Sequence, residues 1–283
     1  MTATRSAKPE PRRARRAPLL PAAAVLAALS LPAGAATDSA ATPAGAAAVN
    51  APDAQADEPA FKLTLGRYQL RTPGGGISTD GSDINLRWRR DERTLWLGVY
   101  RDGEFGRQWR AGWDDHWALA ALPGLPDPAA LQLLPSLQLA SGGFVGGSLA
   151  LQAGGPVFVQ AGIGRTNLRP YANLNFDPND ALSLALGWQG DGERQLMLSV
   201  IADDRLHTGQ QHHHLSLRWP LQAGWRLSAD LLHKQGLGDS GPVRAWGQSL
   251  GLDGPRWFAR LAHDPHQNFS AQNAWRLSGG LRF

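Results

Sequence analysis

From Phe61 onward, apolar residues fall at every second position, and this period of two constrains the fold more than any other feature of the chain. Successive side chains of an extended strand leave opposite faces of a sheet, so strict alternation is the mark of strands with one apolar and one polar face. Near the end of the chain, Trp275, Leu277, Gly279, Leu281 and Phe283 share one parity, and Arg276, Ser278, Gly280 and Arg282 share the other. Leu182, Leu184, Leu186 and Trp188 oppose Ser183, Ala185, Gly187 and Gln189. Leu215, Leu217 and Trp219 oppose His214, Ser216 and Arg218, while Trp225, Leu227 and Leu231 oppose Arg226, Ser228 and Asp230. The pattern extends forward through Ile84–Trp88, Trp109–Trp113, Leu131–Leu139 and Val157–Ile163. Two segments read less cleanly. Phe61–Thr72 is expected to change parity near Gly66, and Val157–Phe176 near Arg165, as a bulged strand or two pieces would.

Turn signals separate the segments. Short ones stand at Asp91-Glu92-Arg93, Gly154-Gly155-Pro156, Gly190-Asp191-Gly192, 220–223 and Asp253-Gly254-Pro255. Longer connections are expected at about 72–80, 203–210, 234–242 and 264–273. Short and long connections largely alternate, as they do between the two rims of a membrane barrel. These features predict an all-β fold: a transmembrane, antiparallel, up-and-down β-barrel of about 12–14 strands, an even number being favoured by closure. No stretch after residue 36 is apolar for long enough to cross a bilayer as a helix.

A soluble barrel also alternates, but its outer face is richly charged. Here the apolar set is Leu and Val, with Trp88, Trp188, Trp219, Trp225, Trp257 and Trp275 near segment ends, as in an interfacial aromatic girdle. Leu184, Leu217 and Leu227 are accordingly expected to face lipid.

The first sixty residues differ. Residues 1–35 read as a secretory signal peptide: a basic stretch ending at Arg16, an apolar run from Ala17 to Leu31, then Ala33-Gly34-Ala35 as an A-x-A cleavage site. The mature chain is expected to begin near Ala36. Residues 36–60, rich in Ala, Thr, Pro and Asp, read as a disordered periplasmic linker, and 61–283 as the barrel. The net charge of +4 belongs to the leader. Taking its six basic residues and one acidic residue from totals of 28 and 24 leaves 22 and 23, which removes the case for a nucleic-acid partner. There is no cysteine, hence no disulfide and no thiolate chemistry.

The pattern Trp275-x-Leu277-x-Gly279-x-Leu281-x-Phe283 resembles the final-strand signal of Gram-negative outer-membrane β-barrel proteins, which ends in phenylalanine. Gly279 stands where a larger apolar residue is often found. The resemblance implies an outer-membrane location, contact with outer-membrane lipids, and recognition by the barrel assembly machinery through Trp275, Leu277, Leu281 and Phe283.

Candidate functional residues fall in two sets. On the polar parity lie Arg87, Arg89, Arg110, Arg218, Arg226, Asp230, Arg276 and Arg282, expected to line a lumen together with several glutamines. Arginines in a pore wall attract anions. The second set is histidine. His207, His212, His213, His214, His233, His263 and His266 sit near three successive long connections, so one arc of the outer rim is expected to carry them. His212, His214, His233, His263 and His266 are weak metal candidates, and a histidine could serve as general base for Ser240 or Ser270. Asn175–Asp180 is oxygen-rich but lacks the ligand spacing of a calcium loop and reads as a tight turn. No phosphate-binding glycine loop or hydrolase motif occurs, and no cofactor is expected. The sequence thus points to a narrow polar pore for small anionic or polar solutes. An outer-leaflet lipid hydrolase using rim histidines and a structural or adhesive barrel are the alternatives, with catalysis the less favoured.

Overall fold

The computed structural model describes residues 59–283 except 77, 104–105, 122–129 and 175–179; the expected leader and most of the linker therefore lie outside the described residues. The strands are β1 (Phe61–Arg71), β2 (Ser78–Arg90), β3 (Arg93–Arg101), β4 (Arg107–Asp114), β5 (Trp117–Ala121), β6 (Ala130–Ala140), β7 (Phe144–Gly154) and β8 (Val157–Thr166). They continue as β9 (Ala181–Gly190), β10 (Arg194–Asp203), β11 (Gln211–Pro220), β12 (Arg226–Gly238), β13 (Gly241–Asp253), β14 (Trp257–Asp264) and β15 (Asn273–Arg282).

Apart from β4 and β5, each strand pairs antiparallel with its neighbours in sequence, and β1 pairs with β15 from Lys62↔Arg282 to Arg71↔Asn273, which closes the sheet. β4 and β5 are successive parts of one staggered strand. Both pair with β6, β4 through Asp114↔Ser136 and β5 through Trp117↔Leu133, and the Asp115 amide bonds the Pro135 carbonyl at 3.2 Å between them. Counted this way the barrel has 14 strands. Closure leaves no sheet edge along the ring, so backbone groups are satisfied without water.

Burial alternates along the strands with the sequence. Leu95, Leu97, Leu184, Leu198, Leu215, Leu250 and Leu277 are exposed on the outer surface, while Gln108, Gln138, Gln152, Gln160, Ser199 and Arg218 are buried inside. A continuous apolar outer band around a polar interior is the inverse of a soluble protein, and this barrel spans a membrane. Among the described residues no helix is long and apolar enough to cross one, so the crossing is by strands. Leu184, Leu217 and Leu227 all stand on the outward parity, with Leu184 the most exposed of the three.

The rim that carries Phe61 and Phe283 has short turns at 91–92, 155–156, 191–193, 221–225 and 254–256. The opposite rim carries longer connections, including 167–180, 204–210 and 265–272. Short turns belong to the periplasmic side of such barrels and longer loops to the outer side. Tryptophans follow the two rims. Trp188, Trp219 and Trp257 point outward near the short turns, with Trp225 set edge-on to Trp257 at 4.7 Å; Trp109, Trp246 and Trp275 point outward near the long loops.

Three details differ from the sequence reading. β1 keeps its parity throughout: Lys62, Thr64, Gly66, Tyr68 and Leu70 point inward, and Leu65, Arg67 and Arg71 outward. What changes at Gly66 is chemistry, not backbone, because the upper part of β1 passes the membrane band outside and meets an apolar cluster inside. β8 is regular to Thr166 and the chain then leaves the wall, so 167–174 form neither a bulge nor a second strand, and the rest of the expected stretch lies outside the described residues. The long connection expected at 234–242 is a two-residue turn, Asp239-Ser240. β12 runs to Gly238 and β13 starts at Gly241, because the two strands stay paired without a break from Arg226↔Asp253 to Gly238↔Gly241, with Leu232 and Lys234 buried on the inner face.

Candidate functional site

The interior is narrowed by the segment after β8, which runs into the lumen and docks on the far wall. Gln108 Oε1 on β4 accepts the Ala172 amide at 2.8 Å, and Arg276 Nη1 on β15 donates to the Leu174 carbonyl at 3.4 Å. Tyr171 stacks on Phe144 at 3.6 Å between centroids. Ala172 and Leu174 join Tyr68 and Tyr100 in a buried apolar cluster, the two tyrosines meeting edge to face at 5.5 Å. This explains the apolar residues on the inner face of β1: they are the seat of the loop.

The root of the loop is clamped by Asp180. Its carboxylate accepts the Thr166 amide at 3.1 Å, the Thr166 hydroxyl, and Arg205 Nη1 at 2.7 Å. Burial alone would raise the Asp180 pKa, but these donors outweigh it and hold the group below the usual carboxylate range. Asp180 is thus committed to the loop root; residues 175–179 of the oxygen-rich run lie outside the described residues.

A second inner layer comes from the 265–272 loop. Phe269 is buried over His212 at 5.3 Å, and Asn268 Nδ2 reaches the Asn173 carbonyl at 3.4 Å, joining the two loops. Between them lies a cavity of about 420 Å³, lined by Tyr68, Tyr100, Tyr171, Asn173, Asn268 and Phe269 among others.

Beneath the loops the wall is basic. Arg282, Lys62 and Arg87 are direct cross-strand partners on β15, β1 and β2, all on the inward parity. Lys62 lies 4.2 Å from the centroid of the Phe258 ring, and Arg282 lies 5.4 Å from it. Arg282 also pairs with Asp253, and Arg226 with Glu193. Arg218 and Arg226 are buried on β11 and β12, and Arg89 is inward on β2. Higher on the wall, Arg110 stands 5.6 Å from the Trp96 ring and Arg276 5.1 Å from the Tyr68 ring. Asp230 is engaged by His214 Nδ1 at 3.0 Å and by the Ser216 hydroxyl at 2.5 Å. The eight candidates Arg87, Arg89, Arg110, Arg218, Arg226, Asp230, Arg276 and Arg282 therefore share the interior, spread between its lower mouth and its middle.

Sequence reasoning missed Lys62, Arg260 and the infolded loop. Lys62 sat in the segment assigned a parity change. Arg260, bonded to the Ser249 hydroxyl at 2.8 Å, alternates with Ala259 and Leu261 and was legible by the same rule. The loop has one sequence signal, the loss of alternation after Arg165 in a run that still holds Leu168, Tyr171, Ala172 and Leu174.

The histidines do not form one site. His212 and His214 point inward; His213, His233 and His263 point outward; His207 and His266 lie in loops. Alternation forces this split, since neighbours in a strand cannot share a face. Among the described residues no group of three potential ligands is close enough to hold a metal ion. His266 Nδ1 lies 3.1 Å from the Ser270 carbonyl oxygen rather than its hydroxyl, and Ser240 is exposed in a tight turn.

No protein-family profile matches the chain, and no curated protein matches it in sequence. Several solved outer-membrane barrels are similar in shape. Omp33 of Acinetobacter baumannii has a TM-score of 0.47 at 11% identity, over 81% of this chain and 100% of that one. The NanC porin has a TM-score of 0.41 at 7% identity, over 78% and 100%. Salmonella typhi OmpF, solved with daunomycin, has a TM-score of 0.40 at 10% identity, over 80% and 98%. Likenesses this distant transfer no residue role and no activity; the barrel assignment rests on the closed sheet and its apolar girth.

Proposed function

We propose that the chain is a porin-like outer-membrane pore of a Gram-negative cell, whose loop-narrowed lumen passes small solutes and prefers anions. The observation that carries the preference is the inward row Arg282–Lys62–Arg87, three cations in direct cross-strand register. Only Arg282 of the three has an ion-pair partner among the described residues, Asp253. Like charges side by side on one face repel unless counter-ions neutralise them, and in a narrow low-dielectric passage their field lowers the entry barrier for anions. Arg218, Arg226 and Arg276 extend that field along the neighbouring walls. Assembly through the outward face of β15, where Trp275, Leu277 and Leu281 are exposed and Phe283 follows, fits the same location.

In a salt gradient across a planar bilayer, the reversal potential of the parent is expected to show anion preference. Lys62→Gln with Arg87→Gln is expected to reduce it while the barrel still folds, because neither side chain has an ion-pair partner among the described residues. An open channel whose selectivity is unchanged in the folded variant would leave these cations as packing. The hydrolase alternative gains nothing from His266, whose partner is a carbonyl.

A further inference from the structure

The outer surface holds a second basic feature, unrelated to the lumen. Outward-facing Arg67, Ser82, Arg101 and Arg107 are direct partners in turn across β1, β2, β3 and β4. Arg67 is already held by Asp80 at 2.5 Å. Arg101 and Arg107 face each other as exposed like charges, and among the described residues neither has a carboxylate partner. The adjacent Asp102 accepts the Tyr100 hydroxyl at 2.9 Å. Like charges directly opposite in a sheet destabilise the pair, so this rung is one where a bound anion offsets a repulsion that no carboxylate among the described residues offsets.

What lies next to the pair names the anion. Trp109 follows Arg107 on the same face of β4, 5.0 Å from its guanidinium, and is exposed at the rim of the long loops. Below it the outer surface continues as Val99, Leu97 and Leu95 on β3 and Ala111 and Trp113 on β4. The order from the rim inward is cation pair, indole, aliphatic wall. A membrane lipid presents the matching order of charged phosphate, interface and acyl chain, and guanidinium pairs bind phosphate oxygens with charge-assisted hydrogen bonds. We infer that this face binds one outer-leaflet lipid with a net-negative phosphate headgroup, held between Arg101 and Arg107, with its chains along β3 and β4. A free anion would use the two guanidiniums but not the apolar wall beneath them. The inference requires that the long-loop rim face the outer leaflet; it does not rest on the lumen conducting. Arg244 on β13, exposed opposite Gln235, is the comparison case of an outward arginine without a like-charged partner on the facing strand.

The test is native mass spectrometry of the folded barrel in detergent, offered equal amounts of phosphatidylglycerol and phosphatidylcholine with the same acyl chains. The parent is expected to retain one phosphatidylglycerol in about fivefold excess over phosphatidylcholine. R101Q/R107Q is expected to lose that excess, and R244Q to keep it. Equal retention of both lipids by the parent, or an undiminished excess in the double variant, overturns the proposal. So does displacement of the lipid by millimolar inorganic phosphate, which would make the pair a site for free anions. If the double variant does not fold, as judged by its mobility on unheated gels, R107Q alone is read in the same way.

Discussion

Asp264→Asn is expected to destabilise the barrel by about 3–5 kcal/mol, the cost of leaving a buried charge without its partner. Lys234 on β12 and Asp264 at the end of β14 reach each other over β13, where Ala245 and Gly247 leave the space, and their charged atoms lie 2.5 Å apart. The lysine side chain is 0% exposed and the aspartate 6%. Neither carboxylate oxygen has a well-aligned hydrogen-bond donor among the described residues, so Asp264 is held by charge. Lys234 also donates to the His266 carbonyl at 3.3 Å and lies 5.7 Å from the Phe269 ring, which ties the pair to the 265–272 loop. The midpoint of urea unfolding in detergent or lipid reads the effect. Replacing both partners, Lys234→Met with Asp264→Leu, is expected to cost far less, since two apolar side chains leave no orphaned charge. Equal losses in the single and double variants would show that shape rather than charge holds this corner.

Leu215→Arg is expected to cost roughly 2–4 kcal/mol of folding stability in a bilayer, the penalty for a guanidinium at the midplane of a barrel's lipid face. Leu215 sits at the middle of β11, 45% exposed, paired with Leu198 on one side and Leu231 on the other, all outward. Its neighbour Ser216 points inward and bonds Asp230 at 2.5 Å. Ser216→Arg puts the same charge beside a carboxylate and is expected to be tolerated better. The two variants differ by one position and therefore by one face, so the comparison isolates the environment from the substitution. Refolding into vesicles, followed by the shift between folded and unfolded bands on unheated gels, measures both. Matching losses at 215 and 216 would contradict the assignment of outside and inside.

The wall was legible in the sequence because a strand reports its two faces every two residues. Leu215 and Ser216, or Trp275 and Arg276, carry their environments in their chemistry, and closure then fixes which environment is lipid. The limits of that rule are equally physical. Tyr68 is buried on the inner face because a loop from the far side of the ring packs on it, and Leu70 lines the cavity beside that loop; alternation along β1 holds no record of a partner a hundred residues away. The loop's inward course is set by single contacts, Gln108 to Ala172 and Arg276 to Leu174, which leave no periodic trace. Histidines 212–214 show the opposite error. Their clustering in the chain suggested one site, yet the same alternation that revealed the strands separates His213 from its two neighbours. The lumen arginines were readable residue by residue, but their order in height and the central place of Lys62 depend on cross-strand register, which only the closed sheet supplies.

The central claim, that the barrel conducts through a loop-narrowed polar lumen, is tested most directly by single-channel recording of the purified parent protein in planar bilayers. The loops that meet between Asn268 and Asn173 fill part of the passage, and the basic wall beneath them stays polar to the lower mouth. Discrete, long-lived steps of small conductance are expected, with anions carrying the larger share of current in a salt gradient. Insertion of correctly folded barrels that leaves the baseline flat would contradict the account and make the interior a plug rather than a path.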